Sequence, residues 1–134
     1  MRDILFKAKR KDNSEWVEGF LFETTDNSYI AYNNQFDDDL MLSPKNIFIR
    51  VDKDTICQYT GLTDNNGNKI WENDVVKCDY DDYGDKKTYI GKVFFREDTC
   101  TFLVTDMKST NYEWWNEDKE VIGNIFDNAE LLEG

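Results

Sequence analysis

The chain has 134 residues, of which 40% are hydrophobic, 15% aromatic and 33% charged, and 28 acidic residues against 16 basic ones leave a net charge of −12. That length fits one domain, and the aromatic content excludes simple acidic disorder, whose sequences lack the apolar surface to offset chain entropy. No apolar run approaches the ~18 residues of a membrane span, and the opening Met1-Arg2-Asp3-Ile4-Leu5-Phe6-Lys7 has no secretory apolar core, so a cytoplasmic chain without membrane contact is expected.

In chain order, Ile4-Leu5-Phe6 and Glu15–Phe22 flank a Lys11–Ser14 turn and read as a hairpin. Tyr29–Tyr32 follows, and after an acidic stretch comes Ile47–Val51. There Ile47, Ile49 and Val51 share one face, as alternate residues of a strand do. Ser43 before Pro44-Lys45-Asn46 predicts a short helical turn at 43–46.

The second half repeats this rhythm. Ile70-Trp71 and Val75–Cys78 flank a tight Glu72-Asn73-Asp74 turn, then come Tyr89–Phe95, Thr101–Val104 and Glu120–Phe126. A second helical turn is expected at 127–132. With one proline and seven glycines, turns fall to Asn and Asp, which tolerate left-handed backbone. The fold class is therefore mainly β: short antiparallel strands in small SH3-like barrels or a sandwich, with at most short helical turns. Gly19-Phe20-Leu21-Phe22 echoes Gly91-Lys92-Val93-Phe94, a match too short to establish a duplication. One domain over 1–134 is expected, with an N-terminal lobe 1–55 and a C-terminal SH3-like lobe 56–134 as its natural subdivision.

The chemistry available is narrow. There is no histidine, so Ser-His-Asp, Cys-His and His-based metal mechanisms are excluded, leaving carboxylates, Lys, Tyr or Cys for acid–base work. Cys57, Cys78 and Cys100 form no CxxC pair and read as buried or half-buried free thiols of a reducing compartment. No cofactor, metal ligand set or catalytic residue is expected. Residues 1–55 carry 8 basic and 11 acidic groups, whereas residues 56–134 carry 8 and 17, so acidity concentrates in the second half. A strongly acidic chain repels phosphate backbones, which disfavours nucleic acid as a partner. The basic Lys7–Lys11 run reads as a solvated strand end.

Three stretches stand out. Gln58–Ile70 centres on Asp64-Asn65-Asn66-Gly67, a tight-turn sequence that could also present a partner-binding loop. Asp79–Asp85 fits the first positions of an EF-hand loop, but Tyr83 and Ile90 stand where oxygen ligands belong, so an acidic loop between strands is expected. Asp37-Asp38-Asp39 reads the same way. Tyr112-Glu113-Trp114-Trp115 places adjacent rings on opposite faces of a strand, one of them available to a partner. Tyr59, Asn66, Trp71, Tyr112, Trp114 and Trp115 are accordingly the candidate interface residues.

Blocks across the chain together resemble the YopX-like proteins of phages and prophages. These are Arg2–Lys9, Trp16–Phe20, Val51–Leu62, Asp64, Gly67, Lys69-Ile70, Glu72, Asp74–Val76 and Val121–Asn128. Asn73 stands where that pattern has Gly, and Cys57 likewise. The resemblance implies a β-rich, cytosolic, oligomeric phage or prophage protein with no assigned catalytic residues. The function expected is thus a non-enzymatic, self-assembling module that binds a host or phage protein. The alternatives are an acidic DNA-mimic inhibitor of a host nucleic-acid enzyme, a small-molecule enzyme using Glu72, Asp74 and Asp79, and sequence-specific nucleic-acid binding through Lys7–Lys11 and an SH3-like sheet, which the global charge disfavours.

Overall fold

In a computed structural model the described residues are 4–34, 45–106, 111–112 and 118–132. The chain is mainly β, as its strand-length apolar runs predict, and every described pairing is antiparallel. It divides into two compact units, Met1–Gln58 and Tyr59–Gly134.

The first unit contains β1 (Phe6–Lys9), β2 (Trp16–Glu23), β3 (Ser28–Asn34) and β4 (Lys45–Val51), paired in succession, and the start of β5 (Cys57–Thr63). Gln58 and Cys57 of β5 return to pair with Phe6 and Lys7, which gives the order β4-β3-β2-β1-β5. Alternation decides the faces. Val17, Gly19 and Leu21 of β2 turn inward with Ala8, Ile30, Ile49 and Val51, forming a core in which Ala8 and Ile30 are fully buried. A 3-10 turn at Lys53–Thr55 leads into β5. Asp52 caps it, its Oδ1 accepting the Asp54 N–H at 3.1 Å, and Thr55 Oγ accepts the Lys9 N–H at 2.9 Å.

The second unit contains the rest of β5, then β6 (Lys69–Trp71), β7 (Asp74–Asp82), β8 (Asp85–Arg96), β9 (Thr101–Thr105), β10 (Asn111–Tyr112) and β11 (Asp118–Asn124). Its sheet runs β10-β9-β8-β7-β11. Ile70, Val76, Cys78, Tyr89, Val93, Phe102 and Val104 form its core. A 3-10 turn at Ala129–Leu132 falls within the expected 127–132.

The two units share one topology: a four-strand meander whose first strand also pairs with a later, returning strand. The faint Gly-x-x-Phe echo lies in register within it. Gly19 sits opposite Phe6, and its neighbour Phe20 opposite Ala31. Gly91 sits opposite Val76, and its neighbour Lys92 opposite Thr105. At Gly19 an added Cβ would collide with the Ala31 carbonyl oxygen and lie 3.0 Å from Ile30 Cγ2; at Gly91 it would collide with the Thr105 carbonyl and lie 2.7 Å from Val104 Cγ1. Both glycines admit a neighbouring strand to the same place. A two-residue match thus marks a repeated architecture.

Some sequence expectations are corrected. Lys45 and Asn46 belong to β4 rather than to a helical turn, because the ladder to Asn34 and Asn33 satisfies their backbone; Ser43 and Pro44 lie outside the described residues. The expected acidic loop at 79–85 is a continuous hairpin, with Asp82 opposite Asp85 and only Tyr83-Gly84 turning. Cys57 and Cys78 are buried, but Cys100 is exposed in a turn that its own left-handed backbone (φ 53°) helps to make. Asp37–Asp39 lies outside the described residues.

Candidate functional site

Several residues within or beside the blocks that carry the resemblance, Asp64, Gly67, Asn73, Asp74 and Asn124 among them, prove to be turn-makers. Asp64 is 6% exposed and ends β5. Its Oδ1 accepts the N–H groups of Asn66 at 3.0 Å and Asn68 at 2.9 Å, and its Oδ2 accepts that of Val121 on β11 at 3.0 Å. Burial pushes its carboxyl upward, but these hydrogen bonds, that from Val121 foremost, outweigh burial and hold it below its ordinary value. Gly67 supplies the positive φ of the same turn. Asn73 takes the left-handed conformation (φ 71°) expected where the family has Gly. Asp74, 2% exposed, accepts the Trp71 N–H at 2.9 Å. Asn124 Oδ1 accepts the N–H groups of Phe126 and Asp127, each at 2.9 Å. These side chains saturate backbone donors, so what they do is hold shape.

The sequence-derived interface candidates separate. Tyr59 and Trp71 are directly opposite on β5 and β6, with ring centroids 5.4 Å apart, and they are 8% and 4% exposed. They are packing residues rather than surface anchors, because strand pairing turns both rings inward. Asn66 is exposed at the turn. Tyr112 contributes backbone to β10, opposite Val104, while Trp114 and Trp115 lie outside the described residues. Of the carboxylates considered for catalysis, Asp74 is committed to Trp71, and Asp79 Oδ1 accepts the Thr88 hydroxyl at 2.7 Å. Among the described residues no three carboxylates or thiols converge as a metal site requires.

Two surfaces remain. The β7–β8 hairpin turns on Tyr83 (φ 52°) and Gly84 (φ 92°), positive φ at both central positions as a two-residue hairpin loop demands. Asp81 Oδ1 accepts the Gly84 N–H at 2.9 Å, and Lys87 Nζ meets Asp82 at 2.7 Å, which raises the lysine's pKa. At the tip the Tyr83 side chain is fully exposed, with Asp81, Asp82 and Asp85 close to it in the chain and Lys86 and Lys87 just beyond.

The other surface is the outward face of the first unit's sheet. Alternation sends Trp16, Glu18, Phe20 and Phe22 of β2 to this side, with Tyr29 and Ala31 of β3 and Phe48 and Arg50 of β4. Phe20, Phe22 and Phe48 are 61%, 49% and 54% exposed. Phe22 lies 5.5 Å from Phe48 and 6.1 Å from Tyr29 between ring centroids. Together with Thr24 these rings bound an apolar hollow of about 280 Å³. On β1, Lys7 and Lys9 place their ammonium groups 4.5 and 5.4 Å from the Trp16 ring centroid. The sequence held this signal in β2, but with large apolar residues at both parities it did not say which set faced out.

No curated protein sequence matches this chain. Its fold is similar to that in the crystal structure of protein EF1440 from Enterococcus faecalis, with a TM-score of 0.58 and 22% identity over 99% of this chain and 100% of that one. At that identity the likeness speaks to the fold alone. Among the described residues no helix is long and apolar enough to cross a membrane. The family model of the YopX protein matches residues 5–133, nearly the whole chain, and it covers every turn-making residue described above. The chain belongs to the YopX family.

Proposed function

We propose that the chain is a non-enzymatic accessory protein of phages and prophages, which assembles with copies of itself and docks a host or phage protein in the bacterial cytoplasm. The observation that supports this reading is the β7–β8 hairpin, which presents a fully exposed Tyr83 at a tightly turned tip. Tyrosine is a favoured interface anchor because it buries a large, stiff ring and still offers a hydroxyl. The turn requires left-handed backbone at this position, and a bulky residue there costs about 1–2 kcal/mol where Gly or Asn would meet the requirement more cheaply. Asp81 and Asp85, close to Tyr83 in the chain, would steer a basic partner surface. The absence of histidine agrees with a binding role.

Tyr83→Ser tests the reading. Tagged wild-type chain, treated with nuclease, should capture a stoichiometric protein from infected host cells and show a multimeric mass by light scattering. The variant should lose one or both while melting normally. Unchanged capture and unchanged mass would remove the hairpin as the docking element. A capture that dissolves at high salt would instead favour the acidic strand Asp79–Asp82 as a mimic of a nucleic-acid backbone.

A further inference from the structure

We propose that the outward face of the first unit's sheet binds single-stranded nucleic acid, with bases stacking on Phe20, Phe22, Tyr29 and Phe48 and phosphates held by Lys7, Lys9 and Arg50. This goes beyond the hairpin reading and uses a different surface. The strand registers set the pattern. Lys9 lies opposite Trp16 and Lys7 opposite Glu18; Phe20, Ala31 and Phe48 form the next row, and Phe22, Tyr29 and Arg50 the row after. Rings occupy the middle and cations the two ends. Ala31 leaves a low floor between Phe20 and Phe48, whose strands are two spacings apart, about 10 Å. From Trp16 to Phe22 the platform runs about 20 Å, enough for a short stretch of extended strand.

The choice of occupant follows from charge and from the comparison between units. In these rows Lys7, Lys9 and Arg50 stand with one carboxylate, Glu18, whereas residues 56–134 hold most of the chain's excess acidity. Charges more than about 8 Å away are largely screened at physiological salt, so an anionic strand meets the local sign first. Exposed rings interleaved with Lys and Arg are what an unpaired strand needs, because every base offers a π-face. Paired bases offer no open face to these rings. In the second unit the equivalent registers keep Lys77 for Lys7 and Phe94 for Phe22, but read Asp79 for Lys9, Thr88 for Trp16, Ile90 for Glu18, Lys92 for Phe20 and Leu103 for Tyr29. The rings of Trp16, Phe20 and Tyr29 and the cation of Lys9 are therefore features of the first sheet's sequence and not by-products of the topology.

The test is fluorescence anisotropy with a labelled oligothymidylate of about twelve nucleotides and the full chain at about 50 mM salt. Saturable binding is expected. The double variant Phe22→Ala/Phe48→Ala should weaken it at least about tenfold while the chain still unfolds in one cooperative transition well above the assay temperature, since about half of each ring lies outside the packed core. Arg50→Glu should weaken binding and flatten its salt dependence by about 0.7 in log–log slope for each phosphate that is no longer neutralised. Ile90→Ala and Tyr83→Ser should leave it unchanged, which separates this site from the hairpin. No anisotropy change at about 100 μM protein would overturn the proposal. So would equal binding by Phe22→Ala/Phe48→Ala, or equal competition by a duplex of the same length. A fall in oligomer mass in that double variant would overturn it too, by assigning the face to a second copy.

Discussion

Asp64 illustrates how one carboxylate serves a turn that no backbone ladder can satisfy. Its two oxygens reach the N–H groups of Asn66 and Asn68 in its own turn and that of Val121 on β11. Asp64→Ala would orphan these donors and is expected to cost about 1.5–3 kcal/mol, read as a lower urea midpoint at neutral pH. Hydrogen bonding holds the folded carboxyl below its unfolded value of 3.8. A depressed pKa contributes stability that is fully present above the unfolded value and is lost as pH falls through the folded one. The stability gap between wild type and Asp64→Asn should therefore be widest at neutral pH and close below about pH 4. A gap that persists unchanged into acid would show that the charge contributes nothing. The turn was legible in Asp64–Gly67 because side-chain chemistry dictates it. The reach to Val121, 57 residues away, is a tertiary fact.

The strand pairs explain why two glycines lie inside strands, where glycine is ordinarily a liability. Gly19 and Gly91 each face a carbonyl of the next strand, on Ala31 and Thr105. Alanine at either should cost about 1–3 kcal/mol, because the obstacle is backbone and cannot swing away. The two losses should be similar if the units are built alike, and a double-jump unfolding series would measure both. If alanine is tolerated at one and not at the other, the repeated packing is not equivalent. Most strands were legible as short aromatic and β-branched runs. The strand character of Asp79–Asp82 and of Lys45-Asn46 was not, since local composition favours loops there and pairing to β8 and β3 overrides it.

Across the molecule the net charge of −12 sets a self-repulsion that salt should relieve. Raising ionic strength from about 10 mM to about 200 mM is expected to move the urea midpoint upward, since the Debye length falls to under about 10 Å. A flat response would mean that the acidic side chains are already spaced beyond mutual reach. The same average charge argues against nucleic acid as a partner when the chain is read as a sequence. The sheet then gathers Lys7, Lys9 and Arg50, residues up to 43 positions apart, onto one face with the exposed rings.

Alternation, Asn/Asp/Gly turn chemistry and local motifs are short-range properties, so the class of fold, most of the turns and the family could be read from residue order. Composition likewise removed histidine chemistry outright. Which aromatics are buried emerged only once the strands were paired. Tyr59 and Trp71 pack against each other, while Phe20, Phe22 and Phe48 stand in solvent. In strands with large apolar residues at both parities, the face that turns inward is set by what the neighbouring strand brings: Ala8 and Ile30 on one side, Lys7 and Arg50 on the other.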